Sequence, residues 1–177
     1  DDGDVRDGMR ASLDELQAMT EAALEAARSG AGEEAVREVD VAALVESLCA
    51  DLGELGGDVV FAEAAPVTAV CRPHEIKRAA RNLVENAVKY GKQARVSVAT
   101  KYAFVAICVD DDGPGLTEDE ASRAFEPFVR LNASSAGGLG LGLTFARAVA
   151  RGHGGDIVLE NREGGGLRAT VTLKRTC

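Results

Sequence analysis

RNLVENAVKYG, residues 81–91, decides the fold. Its apolar residues recur at helical spacing, yet Asn82 and Asn86 stand four residues apart inside it. Asparagine is a weak interior helix residue because its side chain competes for backbone hydrogen bonds. Two of them on one helix face therefore call for a role beyond helix formation. Pro73 suits the first turn of this helix and Gly91 closes it, so 73–90 reads as one continuous helix.

On both sides of this helix the pattern alternates between strand and helix. Asp40 is placed to cap a helix over VAALVESLCADLGEL, with Val39 stapling onto its apolar face. DVVFAE and VTAVC precede the asparagine helix, and ARVSVAT and FVAICVDDD follow it; all four are β-branched and apolar enough for strands. FVAICVDDD is a nearly continuous apolar run and is expected at the centre of the sheet. Thr117-Glu118-Asp119-Glu120 opens a short helix with acidic residues at its start. Residues 129–138 are small, polar and glycine-rich, which marks a mobile loop, and Leu139–Arg151 can form a helix. DIVLENRE and LRATVTLK, joined through Gly164-Gly165-Gly166, form a closing hairpin. The expected class is α+β: a two-layer α/β sandwich with helices on one face of a mixed sheet.

Before this unit, Met9, Leu13, Leu16, Thr20, Ala23 and Ala27 recur in steps of four and three, a heptad-like stripe on one long helix that ends at Arg28-Ser29-Gly30. The stripe is expected to face another chain or another helix. The plain alternative is a helix that caps the main unit. The chain is thus divided into 1–32, helix and linker, and 33–177, the principal domain.

Bulk composition narrows the function. A chain of 177 residues can hide roughly 70% of its unfolded surface in one core. A hydrophobic content of 46% and a charged content of 28% are those of an ordinary globular protein. No apolar run approaches the length of a membrane span, so the expectation is a soluble chain in the cytoplasm. The net charge of −9 argues against binding nucleic acid through its phosphates. Cys49, Cys71, Cys108 and Cys177 are far apart with no C-x-x-C pair, so reduced, mostly buried thiols are expected.

Three clusters carry chemistry: Asn82 and Asn86 with Lys89 and Tyr90; Asp110-Asp111-Asp112-Gly113-Pro114-Gly115; and Gly137-Gly138-Leu139-Gly140-Leu141-Gly142-Leu143. Each has a plain reading as exposed filler, ordinary turn or flexible joint. Together they describe a nucleotide site. Glycines before a helix let backbone N–H groups approach phosphate at a positively polarised N-terminus. The Asn86 oxygen suits Mg²⁺, a hard cation that shares its ligands with phosphate and water, and Lys89 adds a compact positive charge one turn on. Asp111, at the end of the central strand, offers a carboxylate to an exocyclic amine such as that of adenine, with Gly113 and Gly115 keeping the space above it open.

This constellation resembles the catalytic ATP-binding domain of sensor histidine kinases, within the superfamily shared with gyrase, the heat-shock chaperone of the same fold and the MutL proteins. NLVENAVKY is similar to the family's N box, DDGPG to its first glycine box, FEPFVR to its F box and GGLGLGL to its second glycine box, and the likeness runs from about Asp40 to the end. The resemblance implies a Bergerat-type fold with Asn86 holding Mg²⁺ and Asp111 on the adenine amine. It implies that Lys89, Tyr90 and Arg130 line the nucleotide, that Gly138, Leu139, Gly140, Leu141 and Gly142 form the phosphate loop, and that Phe125 and Phe128 anchor a lid over 129–138. Residues 5–28 would be the second helix of a dimeric four-helix bundle. The resemblance implies that the phosphoacceptor histidine lies on the first helix of that bundle, outside this sequence; neither His74 nor His153 sits on the stripe.

The implied activity is transfer of the γ-phosphoryl of Mg-ATP to that histidine, for relay to a response-regulator receiver domain. A homodimer is implied in the full-length protein, which by family habit is anchored in the membrane. Relatives that hydrolyse ATP carry a glutamate where Asn82 stands, and an amide cannot take a proton from water at neutral pH. Two departures from the family pattern bear on nucleotide binding, with their effect left open: Asp112, which adds negative charge near the purine pocket, and Leu139, which removes a hydroxyl near the phosphates. The alternatives are a nucleotide-gated interaction module or pseudokinase of the same fold, and a serine-directed kinase of the anti-sigma-factor type, against which the bundle helix speaks.

Overall fold

The computed structural model describes residues 34–129 and 140–175. The expected helix over 5–28, the 32/33 boundary, Arg130, Gly138, Leu139 and nearly all of the expected lid lie outside the described residues. Eleven elements follow in order: β1 (Arg37–Asp40), α1 (Val41–Glu54), β2 (Asp58–Phe61), β3 (Thr68–Cys71), α2 (Pro73–Gly91), β4 (Gln93–Lys101), β5 (Phe104–Asp111), α3 (Glu118–Arg123), α4 (Gly142–Gly152), β6 (Ile157–Asn161) and β7 (Leu167–Lys174).

The five-stranded sheet runs β2-β4-β5-β7-β6, with β2 parallel to β4 and every other pair antiparallel, so β5 is central as its apolar run requires. Its inward-facing alternate residues, Val96 and Val98, Val105, Ile107 and Val109, and Val171 and Leu173, are buried against α1, α2 and α4. Arg95, Asp110 and Arg168 take the opposite face. This is the expected two-layer sandwich with a mixed sheet. From the helices Leu48, Ile76 and Leu83 complete the core, each at 2% exposure or less and each contributing about 1.5–3 kcal/mol by leaving water.

Local chemistry sets the ends of the elements. The Asp40 carboxylate accepts from the N–H groups of Ala42 (3.1 Å) and Ala43 (3.3 Å), capping α1 as expected, and also from Val67 N–H (3.2 Å). Thr117 and Glu120 form a reciprocal capping box on α3. At α2, Pro73 opens the helix, and Arg72 gives no side-chain cap. The cap comes instead from Glu34, whose carboxylate accepts from the backbone N–H groups of His74 (2.9 Å) and Glu75 (3.3 Å) and meets His74 Nδ1 at 2.6 Å. Gly91 is the last residue of α2, but the left-handed turn that stops the helix belongs to Lys92 (φ 67°). Gly91 is needed for space, since a Cβ there would run into the Asp111 carboxylate.

Cys49, Cys71 and Cys108 are free, and burial pushes the Cys49 and Cys71 thiols up to about 11. Among the described residues no helix is long and apolar enough to cross a membrane.

Candidate nucleotide site

The last turns of α2, the end of β5 and the start of α4 meet around a cavity of about 440 Å³. Of the residues singled out from sequence, Asn82, Asn86, Lys89, Tyr90, Asp111, Gly115, Gly140 and Gly142 line it. Gly113 lies just behind, in a shallow depression shared with Asp112. Leu141 takes the N-cap position of α4 and gives it no side-chain hydrogen bond. α4 starts at Gly142, three residues later than the Leu139 expected from sequence.

Asp111 is the one buried charged side chain among the described residues, 7% exposed. Its Oδ1 accepts from Gly113 N–H (2.7 Å) and Leu167 N–H (3.2 Å), which fixes the carboxylate plane. Oδ2 has no hydrogen-bond partner among the described residues. The glycines around Asp111 are there for close approach: a Cβ on Gly113 would come within 2.9 Å of Oδ1 and 3.0 Å of the Tyr90 carbonyl. Val109, Leu143, Leu159, Leu167 and Ala169 give the cavity apolar walls. The sequence marks the strand residues among these only as parts of strands, with no sign that they border a cavity and not more core.

The two asparagines separate in role. Asn82 Nδ2 donates to the Gly142 carbonyl (3.1 Å), tying α2 to the first residue of α4 across 60 positions of sequence. Asn86 has no side-chain hydrogen-bond partner among the described residues, and its amide oxygen is available to a ligand in the cavity. Glu85 borders the cavity as well, with its carboxylate 3.5 Å from Arg81 one turn back. Lys89 Nζ lies 5.2 Å from the centre of the Tyr90 ring. At the far end Gly140 has φ 69° and packs so closely on Val129 that a Cβ would come within 2.6 Å of its carbonyl. The first N–H groups of α4 have no intrahelical acceptor, and they open towards anions at the positive end of the helix dipole.

Phe125 packs against the core, with the Arg147 guanidinium 4.3 Å from its ring centre. Phe128 is 60% exposed at φ 65°, so of the two phenylalanines only Phe125 is an anchor. His153 is fully engaged: its Nδ1 meets the Val149 carbonyl (2.8 Å) and its Nε2 accepts from Arg72 N–H (3.1 Å). The two contacts join the exit of α4 to the start of α2.

The fold gives the Asp112 charge two close partners. Its carboxylate is clasped by Arg95 (2.8 Å to Nη1) and by Arg162 Nη1 (3.0 Å), on the side of the loop away from the main cavity. Arg95 first and Arg162 second hold its carboxyl well below the usual carboxylate range. The negative charge is therefore neutralised where it arises.

Residues 71–176 match the family of histidine kinase-, DNA gyrase B- and HSP90-like ATPases. The sensor histidine kinase GtrS of Pseudomonas aeruginosa is 38% identical over 92% of this chain and 34% of its own length. The sensor protein CutS of Streptomyces coelicolor is 38% identical over 73% of this chain and 36% of its length, so the chain spans about a third of these relatives. Among solved structures, the ATP-binding domain of PrrB from Mycobacterium tuberculosis superposes with a TM-score of 0.68 at 29% identity, over 80% of this chain and 98% of that one. Full-length ShkA in complex with AMPPNP gives 0.74 at 26% identity, over 96% of this chain and 38% of that one. The chain belongs to the histidine kinase-, gyrase B- and HSP90-like ATPase family. Within that family it is of the sensor-kinase kind, an ATP-binding catalytic domain.

Proposed function

We propose that the domain is the phosphodonor half of a sensor histidine kinase, passing the γ-phosphoryl of Mg-ATP to a histidine outside the described residues, for relay to an aspartate of a response-regulator receiver domain. The observation that carries this reading is one cavity of about 440 Å³ with a buried, pre-oriented carboxylate at one end and an open helix N-terminus at the other. Nucleotides need that combination: an acceptor for the purine amine and backbone donors for phosphate.

Each residue has a part. Asp111 Oδ2 accepts from the adenine amine while Oδ1 stays held by Gly113 and Leu167. Asn86 offers a hard oxygen that would hold Mg²⁺. Among the described residues no trio of His, Cys, Asp or Glu is placed to bind a metal, so most ligands at Asn86 would come from phosphate and water, as magnesium prefers. Lys89 brings positive charge to the phosphate side, and Arg130, Gly138 and Leu139 are assigned there from sequence. Bound Mg-ATP supplies the transferable group and neutralises charge on its oxygens; the chain's own contribution is positioning. Asn82 has no basic atom for water and is tied to Gly142, and Glu85 is engaged by Arg81, so ATP is conserved for the acceptor. In the full-length protein, pairing through a helical bundle and membrane anchoring belong to the same proposal.

The test is the fate of γ-labelled ATP incubated with the chain and Mg²⁺. Label that binds but stays in ATP until an acceptor-histidine helix is supplied supports the reading. Steady release of inorganic phosphate without an acceptor, or binding with no transfer to a supplied acceptor, overturns it.

A further inference from the structure

Neither Asn161 nor Arg162 borders the cavity. Both stand where β6 enters the hairpin turn, and together they hold the two ends of the loop that runs from Asp111 to Leu116. We propose that Asn161 and Arg162 are positioning residues that set purine selectivity at Asp111, an inference that rests on the adenine role given to that carboxylate.

At the first end, Arg162 Nη1 donates to the Asp111 carbonyl at 2.6 Å. The Arg162 backbone N–H donates to the Gly166 carbonyl (3.0 Å), closing the turn. Gly166, at φ 92°, presses so near the Asp111 carbonyl that any side chain there would overlap it. The next residue, Leu167, sends its N–H to Asp111 Oδ1. One hairpin therefore grips both the backbone and the side chain of the purine-facing carboxylate.

At the second end, the Asn161 carboxamide accepts from Leu116 N–H (2.8 Å) and donates to the Leu116 carbonyl (2.7 Å), satisfying both backbone groups of one residue as a neighbouring strand would. Gly115, at φ 74°, fits against it because a Cβ would come within 2.5 Å of Asn161 Oδ1. Between the two clasps stand Pro114, Gly115 and Leu116, which form a wall of the cavity.

Rejection of a wrong base by a hydrogen-bonding site depends on the acceptor being unable to swing aside. A carboxylate accepts from the adenine amine and repels the carbonyl oxygen that guanine carries at that place, and a loosened carboxylate loses both effects. Arg162 is suited to this role because its other partners are secured without it: Asp112 keeps Arg95, and Asp110 keeps the two-bond pair with Arg168. What Arg162 alone supplies is the donor to the Asp111 carbonyl.

The test is titration of Mg-ATP and Mg-GTP by calorimetry into the 177-residue chain, for wild type, Asp111→Ala, Asn161→Ala, Arg162→Met and Arg162→Lys. Wild type is expected to prefer ATP, and Asn161→Ala and Arg162→Met to lose about tenfold in ATP affinity, the scale of one hydrogen bond, while GTP affinity rises as the repulsion is relieved. Arg162→Lys, which keeps a donor, recovers part of the ratio. The nucleotide-free thermal midpoints of these variants are expected to fall by a few degrees, the effect of unpaired backbone groups, and this loss does not by itself change the ATP:GTP ratio. An ATP:GTP ratio that collapses in Asp111→Ala but survives in Asn161→Ala and Arg162→Met overturns this inference alone, and so does an equal loss for both nucleotides. A wild type with no preference, or a preference kept in Asp111→Ala, overturns the adenine reading itself and this inference with it.

Discussion

Asn82 and Asn86 look equivalent in the sequence and differ in the fold because only Asn82 has a side-chain hydrogen-bond partner among the described residues. The Asn82 amide nitrogen donates to Gly142, whereas Asn86 is left for a ligand. The two positions should therefore fail differently. Asn86→Ala is expected to abolish Mg²⁺-dependent ATP binding with little change in nucleotide-free stability. Asn82→Asp replaces the donor by a carboxylate facing the Gly142 carbonyl and is expected to destabilise the fold by about 1–2 kcal/mol, through the lost hydrogen bond and the repulsion between two acceptors. Urea unfolding together with calorimetry of Mg-ATP binding separates the two outcomes. Equal loss of stability at both positions would show that Asn86 also serves the scaffold.

At the scale of elements, acid sensitivity gathers where β4, β5 and β7 lie side by side. Arg168 first, with Arg162 and Arg95 adding to it, holds the Asp110 carboxyl below its usual range against the opposing effect of burial. A carboxylate depressed in the folded state stabilises fully above its unfolded value, and that contribution disappears as pH falls through the lower folded value. The thermal midpoint is thus expected to be flat from pH 8 to 5 and to fall below about 4, the ordinary aspartate range. Asp110→Asn should lower the midpoint at pH 7 and converge with wild type in acid; a gap that persists at pH 3 would contradict the assignment. The ion pairs behind this behaviour were not legible in the sequence, because they depend on the register that sets Asp110 opposite Arg95 and Arg168. What was legible had local causes: the 3.6-residue period of α2, the Asp40 cap, the apolar run of β5 and the hairpin glycines. β1 escaped because Arg37-Glu38-Val39-Asp40 has no apolar alternation and is defined by its pairing with β3, and Glu34 escaped because the helix it caps starts 39 residues later. The motif residues that line the cavity were legible because each motif is local, while Asn161, Arg162 and the apolar walls depend on distant parts of the chain meeting.

For the whole molecule, a ligand that binds only the folded chain raises its stability by mass action. Mg-ATP at a hundredfold excess over its Kd should add about 2.7 kcal/mol, or roughly 5–10 °C in midpoint for a chain of this size. ATP without magnesium should give less, and GTP less again. A shift of the same size for GTP would contradict the role of Asp111. The net charge of −9 does not prevent this binding, because the attraction is local, at a helix end and a lysine.

The cap on α2 has a mechanical side. The helix has 19 residues and so is a rod of about 28 Å. The carboxylate of Glu34, on the stretch of chain leading into the domain, is seated on its first turn, and its last residue abuts Asp111 with no room even for a methyl group. No loop or hinge lies between these two contacts, so an axial shift imposed at one end is expected to be felt at the Asp111 carboxylate at the other.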